Sequence, residues 1–429
     1  MSPLAYLNPK VRGLKESPTL RINQLCKEIA AEGKPVYKLG LGQSPFPIPD
    51  VVVNALELNA AQKDYLHVQG LPELRESVAK FHTQHQEVEI VPENVLIGPG
   101  SKELLFLLQM VFKDEVIVPS PSWVSYLPQA KIIGNTIHVL HTKVTDHWRL
   151  LPQQLEDFCQ QNIKKSNRHY VMILNYPGNP DGITYQADDL KKIAAVAKKY
   201  DVIILSDEIY GQLHHKGQHI SIAKYYPEGT IISSGLSKWC GAGGWRLGTF
   251  SFPAQLRWLL HAMAAVASET YTSVCAPIQY AAVRAFQFDE EIQIYLHHVR
   301  RILALLGQKT AAILKEGKIG VNEPTGGFYL FLDFNSFAEK LKKKNITTGT
   351  KFCNRLLEET GVAILPGVDF NRPAGELSAR LSYVDFDGAK ALEASYLIPL
   401  DKPLPDNFLE QHCNKVIDAA KLMVEWVNA

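Results

Sequence analysis

Cysteine is scarce in this sequence, and its few cysteines follow no pairing pattern. The 429 residues include six cysteines, which are far apart and form no C-x-x-C motif: Cys26, Cys159, Cys240, Cys275, Cys353 and Cys413. Disulfide frameworks and zinc modules depend on closely spaced cysteines, so the sequence predicts neither. A reducing compartment is the natural setting for such a chain.

A charge surplus and long apolar runs are also missing. Lys and Arg total 45 against 44 Asp and Glu, which gives no reason to expect nucleic acid or a membrane surface as partner. No apolar stretch reaches the roughly 20 residues that span a bilayer. The first residues, Met1–Tyr6, lack the basic and apolar order of a signal peptide. We therefore expect a soluble cytoplasmic protein, without repeats or low-complexity tracts.

What the chain does contain is an alternation of short apolar runs and helical patterns. The runs fall at residues 115–119, 137–140, 170–175, 202–207 and 230–234, and Asp188–Lys199 between two of them has helical spacing. This alternation predicts an α/β fold with a mostly parallel sheet covered by helices. A length of 429 residues favours a large domain plus a smaller one.

The pattern changes near residue 300. A long helix is predicted over Ile292–Leu314, and strands over Gly326–Asp333 and Ala379–Tyr383 indicate a smaller α+β unit. Three prolines in residues 397–407 indicate a surface insertion before a last helix, Phe408–Val427.

The segment Gly235–Gly248 carries the most constrained chemistry. It reads GLSKWCGAGGWRLG, with Lys238 near its start and Arg246 eight residues later. Its small residues let the backbone approach a ligand closely. A partly desolvated lysine has a lowered pKa, so its amine attacks carbonyls and forms a Schiff base. An arginine nearby is suited to bind phosphate through two hydrogen bonds.

A second anion site is predicted at Gly98–Lys102, between a strand over Asn94–Ile97 and a helix over Leu104–Phe112. Backbone amides at a helix start bind phosphate, helped by the helix dipole. The third glycine of a dinucleotide motif is missing, and no clear acidic partner follows, which weakens a nicotinamide-cofactor interpretation. Lys102 is a cation where the dipole disfavours one, so it calls for an anionic partner.

Asp207 ends an apolar run that is typical of a buried strand. An unpaired buried carboxylate costs on the order of several kcal/mol, so Asp207 needs a partner. A pyridinium nitrogen is one such partner, because an ionised Asp207 would keep that nitrogen protonated. The alternative is that Asp207 caps a helix running from Glu208 onward.

Four further segments accompany the three that contain Lys102, Asp207 and Lys238. They are LGLGQSPFPIP around Gly42, PSWVSY around Trp123, NYPGNPDG around Asn179 and ARLSY around Arg380. The whole set resembles the class I and II pyridoxal-phosphate aminotransferases of fold type I, over roughly residues 15–395. The likeness is to the bacterial-type aspartate aminotransferase branch in particular.

The resemblance implies roles for the site residues. Lys238 would bind the cofactor and move protons, with Asp207 and Tyr210 as catalytic partners. The implied cofactor contacts are Tyr65, Gly100, Ser101, Lys102, Trp123, Asn179, Asp207, Tyr210, Ser237, Lys238 and Arg246. The implied substrate contacts are Gly42, Lys102, Trp123, Asn179 and Arg380, the last binding the α-carboxylate. Gly235 stands where many members carry a phosphate-binding serine, so Ser237 or Ser234 would supply that hydroxyl.

The resemblance also implies the architecture and the reaction. A seven-stranded-type sheet would lie in a large pyridoxal-phosphate domain over residues 49–300. A smaller α+β domain would combine both chain ends, with the arm and part of that domain in 1–48 and the rest in 301–429. A homodimer with shared sites is implied, in which Tyr65 and the Thr272–Ser273 loop serve the partner's cofactor. The implied reaction is a ping-pong transfer of an amino group between an L-amino acid and a 2-oxo acid.

The substrate and the exact reaction have alternatives. Lys102 matches the branch's lysine that reads a distal carboxylate, which favours aspartate or glutamate with 2-oxoglutarate; the cofactor phosphate is its other candidate partner. Aromatic or neutral amino acids are the alternative donors, and a carbon–sulfur lyase or cyclopropane-forming synthase uses the same scaffold. A DNA-binding regulator would need more than the short, neutral residues 1–40.

A metal-dependent enzyme is a further alternative. Its candidate ligands are two histidine pairs, His82 with His85 and His214 with His215. Neither pair has a matching acidic or cysteine ligand set, so we expect no metal.

Overall fold

The structure is a computed structural model that describes residues 6–163 and 168–429. Its strands are β1 (Tyr37–Lys38), β2 (Val95–Gly98), β3 (Glu115–Ser120), β4 (Ile137–His141), β5 (Tyr170–Asn175), β6 (Ile203–Asp207), β7 (Thr230–Gly235), β8 (Gly248–Ser251), β9 (Tyr329–Asp333), β10 (Val362–Ala363), β11 (Leu365–Pro366) and β12 (Ser378–Ser382).

The α-helices alternate with these strands along the first part of the chain and predominate near its end. They are α1 (Pro18–Ala31), α2 (Asp50–Asn59), α3 (Pro72–Gln86), α4 (Ser101–Val111), α5 (Tyr126–Ile133), α6 (Pro152–Asn162), α7 (Ala187–Lys199), α8 (Arg257–Ser268), α9 (Ala276–Phe286), α10 (Glu290–Glu316), α11 (Ala338–Lys343), α12 (Gly349–Thr360), α13 (Gly388–Tyr396), α14 (Phe408–His412) and α15 (Asn414–Asn428).

A seven-stranded sheet in the order β2-β8-β7-β6-β5-β3-β4 forms the centre of the larger part. Only β8 among these strands runs against its neighbours, pairing antiparallel with β2 and β7. The carboxyl ends of β5, β6 and β7 therefore meet at one edge, and the register sets Asp207 beside Asn175 and Ser233. Open α/β sheets bind their ligands at this edge.

Helices cover both faces of this sheet, as the apolar strands require. On β5, Val171 and Ile173 pack in the core beneath α4 and α8, while Met172 and Leu174 pack in the core beneath α6 and α7. Full burial of an aliphatic side chain stabilises the fold by about 1.5–3 kcal/mol. Alternate residues of one strand thus fix helices on opposite faces, and the predicted α/β class is confirmed.

The smaller part is built around a three-stranded antiparallel sheet in the order β11-β12-β9. The 27-residue helix α10 leads into it, and the Asp289 side chain caps the helix start by accepting a hydrogen bond from the Ile292 amide. Strand β1 pairs with β10, so a segment near the beginning of the chain joins one near its end. The domain boundaries at residues 48 and 300 stay predictions.

The end of the chain differs in one respect from the prediction. The single helix expected over Phe408–Val427 is two helices, α14 and α15. The break is at Cys413, whose φ of −133° and ψ of 19° are not helical. Across the two ranges that the structure describes, no helix is both long and apolar enough to cross a membrane.

Candidate active site

A cavity of about 360 Å³ opens where β5 and β6 end. The predicted site residues that line it are Gly42, Ser101, Lys102, Trp123, Asn179, Asp207, Tyr210, Ser237, Lys238, Arg246 and Arg380. Gly100 stands next to this wall as the N-cap of α4. Ser237 rather than Ser234 faces the cavity. Tyr65 lies apart from the other predicted residues, with 90% of its surface exposed.

Six further residues line the cavity that the sequence did not single out: Thr19, Leu41, Tyr126, Asn175, Ile209 and Tyr329. Three of them stand inside recognised motifs, namely Leu41 in LGLGQSPFPIP, Tyr126 in PSWVSY and Asn175 at the start of NYPGNPDG. Thr19 and Tyr329 had no such signal, because only the tertiary fold brings α1 and β9 to this edge.

Lys238 lies at the centre of the cavity wall. Its Nζ donates a hydrogen bond of 2.8 Å to the Gly42 carbonyl and lies 5.5 Å from the centre of the Tyr210 ring. Burial, followed by repulsion from Arg380 and Arg246, lowers the pKa of Lys238 to about 7, although Asp207 acts in the opposite direction. A large share of this amine is therefore neutral, and so nucleophilic, near neutral pH.

Asp207 is buried at the end of β6 and is held by two side-chain hydroxyls. Tyr126 donates to Oδ2 at 2.6 Å, and Ser233 donates to Oδ1 at 3.3 Å. Burial raises the pKa of Asp207, while the hydrogen bonds from Tyr126, the Ile209 amide and Ser233 lower it. No α-helix begins at Glu208, so the helix-cap alternative is wrong.

Arg380 joins a buried polar network that also lines the cavity. Its Nη1 donates to Asn179 Oδ1 at 3.0 Å, and Asn179 Nδ2 donates to the Tyr210 hydroxyl at 3.4 Å. The guanidinium lies between the rings of Tyr329 and Phe370, with Cζ 4.8 Å from each ring centre. Burial lowers the pKa of Arg380, and its Nε is buried without a hydrogen-bond partner.

Arg246 and the start of α4 form the third side of the cavity. Arg246 donates a hydrogen bond of 2.9 Å to the Gly243 carbonyl. Gly100 lies close to the Arg246 guanidinium, because a Cβ at position 100 would lie 2.1 Å from Nη2 of Arg246. The φ of Gly100 is +89°, which also favours glycine. Lys102 Nζ lies 5.1 Å from the Trp123 ring centre, and burial together with Arg246 lowers the pKa of Lys102.

Gly42 leaves no room for a side chain. A Cβ at this position would lie 1.9 Å from the Tyr329 hydroxyl oxygen. That hydroxyl shares a hydrogen bond of 2.8 Å with the hydroxyl of Tyr210. A glycine at position 42 therefore keeps open the space between Lys238 and the tyrosine pair.

The charges of the cavity fit an anionic molecule that carries one protonated nitrogen. Four cationic side chains line it, Lys102, Lys238, Arg246 and Arg380, against the single carboxylate of Asp207. None of the four is within ion-pair distance of a carboxylate in the described parts of the chain. Cations left unpaired in a cavity call for anions such as phosphate and carboxylate groups. Pyridoxal phosphate with an amino acid meets this demand.

The histidine pairs lie outside this cavity and are engaged in other contacts. His82 Nδ1 is 2.5 Å from Gln86 Oε1, and His215 Nε2 is 3.2 Å from the Gly327 carbonyl. Within residues 6–163 and 168–429, no group of three or more His, Cys, Asp or Glu side chains is arranged to hold a metal ion.

Comparison with known proteins assigns the class that these features define. The family model described as aminotransferase class I and II matches residues 34–392. The chain therefore belongs to the class I and II aminotransferases, and it is a pyridoxal-phosphate-dependent transaminase. Within the family it falls in the branch of the bacterial aspartate aminotransferases, as predicted.

Individual relatives cover nearly the whole chain. The aspartate aminotransferase of Geobacillus stearothermophilus is 33% identical over 387 residues, which are 88% of this chain and 94% of that protein. The asparagine–oxo-acid transaminase of Streptococcus mutans is 30% identical over 395 residues, 89% and 95% of the two chains. The structure of Thermus thermophilus aspartate aminotransferase with maleate matches with a TM-score of 0.81 and 26% identity, covering 98% and 99%.

Proposed function

We propose that this aminotransferase transfers the amino group of aspartate or glutamate to 2-oxoglutarate. The observation that carries the proposal is the presence of two unpaired cations, Arg380 and Lys102, on the wall of one cavity of about 360 Å³. A dicarboxylic amino acid offers one carboxylate to each. The Geobacillus relative is named an aspartate aminotransferase, and the Thermus enzyme is seen with maleate, itself a dicarboxylate. Both support this choice.

The cofactor is held by the remaining polar side chains of the cavity. When bound, pyridoxal phosphate supplies an aldehyde that reacts with amines and a ring that withdraws electrons from the substrate Cα. Arg246, Ser237 and the amide groups at the start of α4 bind its phosphate. Asp207 would keep the ring nitrogen protonated, and Tyr210 with Asn179 would bind the phenolic oxygen. Trp123 packs against the ring.

Lys238 is the residue that attaches the cofactor and moves protons. With a pKa lowered to about 7, its amine serves both as a base that takes the Cα proton and as an acid that returns one. Arg380 binds the substrate α-carboxylate through two of its nitrogens and so holds the Cα–H bond toward that amine. Its planar group is already fixed between Tyr329 and Phe370.

The functional unit in this proposal is a homodimer. Tyr65 is exposed and does not line the cavity of its own chain, as expected of a residue that completes the partner's site. Other large apolar side chains are exposed on the helices α2 and α8, namely Leu58 and Trp258. A second copy of the chain would cover such surface.

Replacing Lys102 tests the choice of substrate. Lys102→Ala should lower kcat/KM for aspartate by on the order of 2 kcal/mol, because the distal carboxylate loses its cation while the open side of the site limits the effect. Asparagine has nearly the same shape without the charge, so its kcat/KM should change little. Steady-state kinetics with both donors and 2-oxoglutarate measure the difference.

Lys102→Arg is the matched control, because it keeps the positive charge and should recover part of the activity with aspartate. Equal losses for aspartate and asparagine in Lys102→Ala would remove the basis for a dicarboxylic donor. Neutral or aromatic donors would then be the better assignment. Product formation without any oxo acid would instead indicate a lyase.

A further inference from the structure

We propose that Tyr126 is a positioning residue that orients the Asp207 carboxylate toward the ring nitrogen of the cofactor. This role rests on the proposed function. Tyr126 is buried, lines the same cavity as Asp207, and donates a hydrogen bond of 2.6 Å to Asp207 Oδ2. It lies on a different element, at the first position of α5, whereas Asp207 ends β6.

The hydrogen bond from Tyr126 adds a short side-chain restraint to a torsion on which the Ser233 hydroxyl and the Ile209 amide also act. The terminal torsion of an aspartate is broad and roughly two-fold, so a carboxylate without directional donors rotates freely. Ser233 is a weak restraint, since its Oγ is 3.3 Å from Oδ1. The short bond from Tyr126 fixes Oδ2, whereas Oδ1 accepts the longer hydrogen bond from Ser233. A hydrogen bond to a charged acceptor also stabilises the ionised form, which is the form that keeps the ring nitrogen protonated.

Tyr126 also connects this carboxylate to the aromatic residue that packs against the ring. The Tyr126 and Trp123 rings meet edge to face, with centres 5.4 Å apart, and the Tyr126 amide donates to the Trp123 carbonyl at 3.3 Å. One residue thereby sets the position of Trp123, which would pack on the ring face, relative to Asp207, which would meet the ring nitrogen.

The test compares two cofactors that differ only at the ring nitrogen. Dissociation constants of pyridoxal phosphate and of its 1-deaza analogue, in which carbon replaces that nitrogen, are measured with the full-length apoprotein. Tyr126→Phe should weaken binding of pyridoxal phosphate about tenfold, because a hydrogen bond to a charged group is lost. Binding of the deaza analogue should change less than about twofold. In an Asp207→Asn background, Tyr126→Phe should have no such selective effect.

Tyr185→Phe is the matched control. Tyr185 is likewise buried, and its hydroxyl accepts a hydrogen bond of 2.9 Å from the Leu150 amide, away from Asp207. Tyr185→Phe should weaken binding of both cofactors equally or leave both unchanged. If Tyr126→Phe does not fold, Ser233→Ala removes the other hydroxyl at Asp207. It should also weaken binding of pyridoxal phosphate more than binding of the deaza analogue, but by a smaller factor than Tyr126→Phe.

Equal weakening of both cofactors by Tyr126→Phe, or by Ser233→Ala in its place, would overturn the positioning role while leaving the proposed function intact. Failure of the unaltered protein to bind pyridoxal phosphate at all would overturn the proposed function and this inference with it.

Discussion

At the scale of single residues, the candidate site is marked by four cationic side chains that form no ion pair with a carboxylate in residues 6–163 and 168–429. Burial and the nearby Arg380 and Arg246 lower the pKa of Lys238 to about 7, while Asp207 acts in the opposite direction. The sequence predicted that these residues share a site because each stands in a motif with little freedom. The structure places them along one cavity, and their roles stay predictions. The sequence did not reveal Tyr126 or Tyr329, because a tyrosine in a helix or strand is usually a packing residue and its polar partner is set by tertiary structure.

Asp207→Ala tests the residue-scale account. The protein should still bind the cofactor through Lys238 and Arg246, but kcat should fall by at least about 100-fold, since proton transfer loses its electron sink. Absorbance spectra of the purified protein report binding, and single-turnover kinetics report the proton-transfer step. Turnover close to that of the unaltered protein would mean that Asp207 serves only to hold Tyr126.

At the scale of elements, strand ends and the loops that follow them build the site. Parallel pairing of β5, β6 and β7 follows from their apolar sequences, and their order brings Asn175, Asp207 and Ser233 side by side. The loop Asn175–Gly182 was recognisable as a turn from composition. Asp181 in this loop is held locally, because its Oδ1 accepts a hydrogen bond of 2.8 Å from the Ile183 amide.

The carboxyl group of Asp181 should make stability depend on pH. Burial raises the pKa of Asp181 to about 7. The folded state therefore holds a proton that the unfolded state releases near pH 4, and stability falls as the pH rises from about 4 to 7. Asp181→Asn keeps an acceptor for Ile183 without the ionisation. At pH 8 it should raise the free energy of unfolding by at least about 1 kcal/mol, or Tm by a few degrees.

The advantage of Asp181→Asn should shrink as the pH is lowered and be smallest below about pH 4. Thermal unfolding of both proteins across that range measures it. A Tm difference that stays the same at every pH would show that Asp181 does not titrate in this window.

At the scale of the whole molecule, the alternation of apolar runs and helical patterns predicted the sheet and covering helices of the larger part. The hydrophobic pattern determines where strands and helices form, so this architecture could be predicted. The pairing of β1 with β10 could not be predicted from pattern, because it joins residues more than 300 positions apart through two-residue strands. The Tyr65 side chain is 90% exposed, so the single chain leaves this aromatic surface uncovered.

Mixed subunits test whether two chains share each site. Tyr65→Ala and Lys238→Ala should each have little activity alone. A hybrid dimer of the two contains one site with both residues intact, so random mixing in equal amounts should restore about a quarter of the sites. Activity after joint refolding, with sedimentation to confirm dimers, measures this. An active monomer, or no recovery in proven hybrids, would contradict shared sites.

The central claim is that Lys238 carries the cofactor of an aminotransferase. Borohydride reduction of the protein loaded with pyridoxal phosphate, followed by digestion and mass spectrometry, tests it most directly. We expect the reduced cofactor on the peptide containing Lys238, and we expect Lys238→Ala to lose both this label and the visible absorbance of the bound cofactor. Labelling of a different lysine, or an unchanged spectrum in Lys238→Ala, would contradict the account.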